Sequence, residues 1–252
     1  MSKSVVISQP YYFPWIGLFE QLIQSDIFVH YDDVQFSKGH FQDRVQIKTE
    51  KGFKWITVPK SNVKISQKIN EVRIDYSKNW QKSQLDFLKQ NYRNAPFVND
   101  MIGLVRMVFN KNPVFISDVS ITSIETVARY FGLMDGRMFV KSSEIKDIPS
   151  SKKTERVLNI CKYFNADKYI TGYGALKYFD FELFEKHNIE VYFADYQIKE
   201  YKQLYGDFNP YVSILDLIAN IGRKGIENIG SQSVYWKEFI KMDKSIKYLQ
   251  KK

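Results

Sequence analysis

Apolar positions along the chain change period repeatedly, and the changes divide it into alternating short strands and helices. Val5–Ser8, Ile27–Tyr31, Met138–Val140, Lys168–Thr171 and Glu190–Phe193 are short, largely apolar runs of strand length, rich in β-branched and aromatic residues. After the first, Gly17–Gln24 sets Leu18, Leu22 and Ile23 on one side of a helix. Arg44–Lys48 and Phe53–Val58 flank Lys51-Gly52, which predicts a hairpin. Helices are expected near 78–93, 98–110 and 115–131, broken at Asn94-Ala95-Pro96 and Asn112-Pro113. In the third, Ile121, Ile124, Ala128 and Phe131 recur at helical spacing. A further helix begins near Lys152, with Val157, Ile160, Cys161 and Phe164 on one stripe, and Phe181–His187 forms another. In "YVSILDLIANIG", Ser213 is a good N-cap and Asp216 completes a capping box. Val212 and Leu217 are spaced as a hydrophobic staple, and Gly222 is the stop.

Strands alternating with helices predict an α/β fold: a mainly parallel, Rossmann-like sheet flanked by helices, with a helical subregion at about 78–131. Residues 1–222 read as a single domain. Residues 223–252 read as a basic C-terminal extension carrying Lys237, Lys241, Lys244, Lys247, Lys251 and Lys252. Ligands in such sheets sit beyond the carboxyl ends of the strands. Gln9–Trp15, Asp32–His40 and Thr171–Gly174 are therefore expected on the ligand edge.

Composition narrows the classes. At 252 residues and 44% hydrophobic the chain can bury a core, yet no apolar run approaches the roughly 18 residues of a membrane span. MSKSVVISQP lacks a cleavage site, so a cytoplasmic protein is expected. The single cysteine, Cys161, excludes an internal disulfide and a thiolate zinc cluster, and its helical stripe makes it a core thiol. The net charge of +9 is carried by dispersed lysines. Nucleic acid would be favoured by a dense basic run interleaved with aromatics. The dispersed pattern fits a phosphorylated or nucleotide-linked small molecule, or simply a lysine-rich surface.

Asp32-Asp33, after a strand, could bind a metal, accept from sugar hydroxyls or act as a base; the pair is also a common solvated turn. Adjacent side chains on an extended segment diverge, so one of the two at most enters a site. Arg44, Gln46 and Lys48 share a strand face that could hold a phosphate or be an ordinary polar surface. His30 reads as a core histidine and His187 as a surface one. The chain has no Walker A loop, GxGxxG, nucleophile elbow or HxxxH set. These residues give a polar site and no reaction.

The stretch "ISQPYYFPWIGLFEQLIQSDIFVHYDDVQFSKGHFQDRVQIKTEKGFKWITVP" resembles the N-terminal signature of the WbqC-like protein family. "KTERVLNICKYFNADKYITGYGALKYF" and "YKQLYGDFNPYVSILDLIANIG" extend the resemblance to about residues 4–222. Gly39-His40 and Val45 depart from the pattern, which more often has basic or small polar residues and Asn there. The resemblance implies a bacterial protein of surface-polysaccharide or O-antigen (lipopolysaccharide) biosynthesis. Such pathways commonly acylate or aminoacylate an amino sugar carried on a nucleotide diphosphate. The implied activity is that transfer, with acyl-CoA or ATP as co-substrate and no metal ligand assigned. Asp33, His40 and Asp32 are the candidate catalytic residues. Arg44 and Lys48 would hold phosphate, and Gln9, Tyr12, Trp15, Gln35, Trp55 and Tyr173 would shape the pocket.

Two alternatives stand beside it. The loop from Pro14 to Leu22 is similar in layout to the H-x-G-H loop of nucleotidyltransferases and adenylate-forming ligases, with Trp15 and Leu18 in place of both histidines. Ser151, Lys152 and Lys153, at a helix start, would then form a second phosphate loop. The other alternative is a non-catalytic nucleotide-sugar binding protein.

Overall fold

The structure is a computed structural model that describes residues 2–250, Gln250 by its backbone alone. The elements run β1 (Ser4–Ser8), α1 (Ile16–Leu22), β2 (Ile27–His30), β3 (Arg44–Thr49), β4 (Gly52–Thr57), α2 (Trp80–Asn91), α3 (Val98–Phe109), α4 (Ile116–Tyr130) and β5 (Met138–Lys141). They continue α5 (Lys153–Tyr163), β6 (Lys168–Thr171), α6 (Phe181–Glu185), β7 (Glu190–Ala194), α7 (Ile214–Ile221), β8 (Ser233–Tyr235), α8 (Trp236–Phe239) and α9 (Asp243–Gln250). Six strands form one sheet in the order β5-β2-β1-β6-β7-β8, parallel except for β8.

The apolar runs become central strands because a parallel sheet covered on both faces has no solvent side to supply polar alternation. Val5 and Val6 on β1, and Ile27, Phe28 and Val29 on β2, are all buried. Successive residues point to opposite faces. Val6, Phe28 and Ile170 join the core built with α1, α2, α3, α4 and α7. Val5, Ile27, Val29 and Tyr169 join the core built with α5, α6 and α8. Cys161 is fully buried in the second core, and burial pushes its thiol pKa up, as a core role requires. His30 is buried as well, with Nε2 3.1 Å from Glu125 Oε1, whereas His187 is exposed.

The hairpin and three helices predicted between β2 and β5 form within a residue or two of their expected ends. Val45, Ile47 and Ile56 turn one hairpin face onto the helices.

Two expectations change. Residues 223–250 are part of the fold: β8 adds to β7, and Phe239 on α8 is fully buried with its ring stacked 4.5 Å from that of Phe193. Lys251 and Lys252 of the expected basic extension lie outside the described residues. At α7, the Ser213 hydroxyl accepts the Leu215 N–H at 3.2 Å, but Asp216 does not complete the box. Its fully buried carboxylate accepts from the Tyr92 and Tyr201 hydroxyls at 2.8 and 2.9 Å, and burial raises its pKa. Gly222 ends the helix at φ 65°, where the Phe97 ring would meet a Cβ at 2.6 Å.

Candidate functional site

The chain leaves β1 through α1 toward β2 and later returns through α5 to place β6 on the other side of β1. The two connections lie on opposite faces, so the carboxyl ends of β1 and β6 flank a crevice at the topological switch point. A cleft of about 740 Å³ opens there. Ser8, Gln9 and Tyr11 enter it from the end of β1, and Thr171, Gly172 and Tyr173 from the end of β6. Trp15 and Gln21 come from the start and body of α1, Tyr196 and Tyr211 from the segment after β7, and Lys244 and Tyr248 from α9.

Aromatic contacts hold the lining together. Trp15 lies against Tyr196 and Tyr211 at centroid distances of 5.0 and 5.6 Å, and Tyr173 lies 5.0 Å from Tyr196. Gln21 Nε2 donates to the Tyr196 hydroxyl at 2.7 Å. That pair explains Gly172, where a Cβ would fall 2.7 Å from the Tyr196 oxygen and 3.1 Å from Gln21 Nε2. Gln42 donates to Gln9 Oε1 at 2.7 Å and fixes the amide at the mouth of β1.

Among the described lining residues, eight are tyrosines, none is Asp, Glu or His, and Lys244 is the single charged side chain. Burial raises the hydroxyl pKa of Tyr11, Tyr173, Tyr178 and Tyr196. Tyr31 is pushed up to about 12, by burial first and by Asp33 second. These hydroxyls are therefore neutral donors and acceptors at ordinary pH. Flat aromatic faces combined with neutral hydroxyls and amides suit stacking against rings and hydrogen bonding to ring substituents. Among the described residues, no group of three or more His, Cys, Asp and Glu side chains could hold a metal ion.

Of the residues singled out in the sequence, Gln9, Trp15 and Tyr173 come together in the cleft. Asp33 stands outside the lining, beside Tyr31, and its carboxylate accepts from Arg156 Nη2 at 3.0 Å and from the Ser142 hydroxyl. Asp32 does not diverge from it as an extended segment would require: the backbone bends at residues 33 and 34, and both carboxylates accept from the same Ser142 hydroxyl. Asp32 is buried and accepts from the Ser143 N–H at 3.0 Å, the Ser143 hydroxyl at 2.7 Å and the Ser142 hydroxyl at 3.1 Å. Asp32 thus ties the end of β2 to the end of β5 and is closed to a ligand.

Tyr12 is also withdrawn: it is buried and donates to Gln84 Oε1 at 2.8 Å. Lys48 is buried beneath the 203–207 loop and donates to Gln203 Oε1 at 2.9 Å and to the Gly206 and Asp207 carbonyls. Its expected phosphate is replaced by these oxygens. Arg44 donates to the Gly39 carbonyl and lies 4.4 Å over the Trp55 ring. Trp55 touches Phe41, which touches Tyr11, so this aromatic row runs from the cleft to the hairpin. Gln35 and His40 are exposed and outside the cleft lining. Ser151 donates to the Pro149 carbonyl and accepts from Asn159; Lys152 and Lys153 are exposed, and none of the three lines the cleft.

Tyr11 lies in the Gln9–Trp15 stretch expected on the ligand edge and Lys244 in the expected basic extension, but neither was singled out for the site, nor were Gln21, Tyr31, Tyr196, Tyr211 and Tyr248. The one available signal was the abundance of tyrosine, 17 in the chain, which does not say where they meet.

The WbqC-like protein family matches residues 9–228 of this chain. The chain belongs to that family. Of individual relatives, the uncharacterized protein Rv1507c of Mycobacterium tuberculosis (strain ATCC 25618 / H37Rv) is 34% identical over 223 residues, covering 87% of this chain and 94% of that protein. No solved structure matches. The family match takes in the WbqC-like chain's cleft from Gln9 to Tyr211, while Lys244 and Tyr248 fall beyond it. Among the described residues, no helix is long and apolar enough to cross a membrane.

Proposed function

We propose that this protein is a transferase of bacterial surface-polysaccharide (O-antigen) sugar biosynthesis, passing an acyl or aminoacyl group to the amine of a nucleotide-linked amino sugar. The observation that carries the reading is the tyrosine-lined cleft at the switch point of the sheet. Its size and lining suit a ligand with a flat base and a hydroxylated ring. In the transfer, the sugar amine attacks the carbonyl carbon of an acyl-CoA or an aminoacyl donor. The new C–N bond forms as the donor's C–S or C–O bond breaks, and the amine gives up a proton. The candidate base is Asp33, which stands behind Tyr31 and outside the lining, so the proton would have to reach it by way of the Tyr31 hydroxyl or a water.

The test is incubation of the full chain with nucleotide-linked amino sugars and either acyl-CoA or ATP plus an amino acid, with products followed by mass. An acylated sugar nucleotide that disappears in Asp33→Asn is the expected result. Pyrophosphate release from ATP would replace this reading with adenylate formation. Binding without turnover would leave a nucleotide-sugar binding protein. If saturating nucleotide sugars fail to raise the melting temperature, the cleft is not a nucleotide site.

A further inference from the structure

A nucleotide-linked sugar carries a diphosphate, and burying that charge without a cation or a set of N–H donors is costly. In Rossmann-like sheets the phosphates usually rest at the start of the helix that follows the first strand. Here that place is closed. The indole of Trp15 lies on the backbone of Gly17, so near that a Cβ on Gly17 would fall 2.3 Å from its ring. The other candidate cations are engaged or elsewhere. Lys48 is held by the 203–207 loop, Arg44 lies over Trp55, and Lys152 and Lys153 do not line the cleft.

Lys244 remains, the one charged side chain among the described lining residues. It projects from α9 with its side chain 34% exposed and pairs with Asp195 Oδ1, just past the end of β7. Tyr248, four residues on and so on the same helical face, reaches the same cleft and meets the Tyr173 ring edge-on at 5.7 Å. One face of α9 therefore brings an ammonium and an aromatic ring to the wall of an otherwise neutral cleft. Resting on the nucleotide-sugar reading above, we propose that Lys244 binds the diphosphate of the substrate, exchanging Asp195 for phosphate oxygens. Asp195 then acts as the holder that keeps the ammonium aimed at the cleft.

Calorimetric titration of the full chain with uridine, guanosine and thymidine diphosphates and with the corresponding nucleosides tests this. The wild-type protein should bind a diphosphate more tightly than its nucleoside. Lys244→Met should lose about 10- to 100-fold of diphosphate affinity and less than about twofold of nucleoside affinity, as expected for one charge-assisted bond. Lys244→Arg should retain most of it. Equal losses for both probes, or no loss, would overturn the assignment while leaving the cleft a nucleoside site. If none of the probes binds the wild-type protein, the nucleotide reading falls and the assignment with it.

Should Lys244→Met fail to fold, acetylation of the wild-type lysines, read by peptide mass, decides instead. The diphosphate should protect Lys244 and the nucleoside should not; equal modification of Lys244 in both samples refutes the proposal.

Discussion

At the scale of single residues, the carboxylate of Asp32 accepts from Ser142 and Ser143 and joins two strand ends that lie 110 residues apart in the chain. Replacing it by Ala takes the acceptor from the Ser143 N–H and hydroxyl, while the Ser142 hydroxyl keeps Asp33, and each lost bond to a charged acceptor is worth about 1.5–3 kcal/mol. Because Ser143 is exposed and water can replace part of the loss, Asp32→Ala should cost about 2 kcal/mol in urea unfolding. Asp33→Asn should cost about 1 kcal/mol or less, because its pair with Arg156 is partly exposed on both sides. The expected divergence of the two aspartates fails, because the chain bends at residues 33 and 34 and both carboxylates meet at the Ser142 hydroxyl. Which one is buried was not legible either, since the answer depends on Ser142 and Ser143, far along the chain. Gly172 offers a second test. Its φ of −93° suits any residue, so the constraint there is space rather than backbone strain. The methyl of Gly172→Ala must displace the Tyr196 hydroxyl and break its bond to Gln21. A stability loss of about 1 kcal/mol is expected, with a roughly tenfold loss of ligand affinity measured by calorimetry.

Among the elements, β1, β2 and β6 were readable because strands buried on both faces have unbroken apolar runs. Helices α2 to α4 were readable from their periodicity and the breaks between them. The capping box at α7 shows the limit of local rules: spacing alone cannot foresee that Tyr92, 124 residues away, claims the Asp216 carboxylate. Elements β8 and α8, of three and four residues, are too short to show a period and are held by tertiary contacts. One such contact is Glu185 at the end of α6, which accepts from the Tyr235 hydroxyl, from Lys237 Nζ at 2.9 Å and from Trp236 Nε1 at 2.9 Å. The Tyr235 bond first, then that of Lys237, holds the Glu185 carboxyl down at about 2, below its ordinary 4.5. A folded-state pKa below the unfolded one gives stability that is complete above about pH 4.5 and is lost as pH falls toward 2. Glu185→Gln should therefore flatten the dependence of melting temperature on pH over that interval. The effect should be modest, because the carboxylate is open to solvent, and a wild-type acid limb in the variant would show that the bonds do not persist in solution.

For the whole molecule, charge acts at two ranges. The net +9 is spread over the surface, whereas the described lining of the cleft carries a single cation. Dispersed charge raises the encounter rate with an anion without fixing its position, and salt screens it. The screening length shortens from about 20 Å at 0.02 M salt to about 4 Å at 0.5 M, so the long-range part should vanish over that interval. Stopped-flow fluorescence, with Trp15 in the cleft as reporter and Trp15→Phe as its control, can separate the two ranges. The association rate of a nucleoside diphosphate should fall several-fold across that salt series, while that of the nucleoside stays flat. Lys244→Met should keep most of the salt slope, because it removes one charge of many, and should instead speed dissociation. If the slope disappears with Lys244 alone, attraction is local to the cleft and the remaining lysines only solvate the surface. If no slope is seen in the wild-type protein, the positive charge has no part in capturing an anionic substrate.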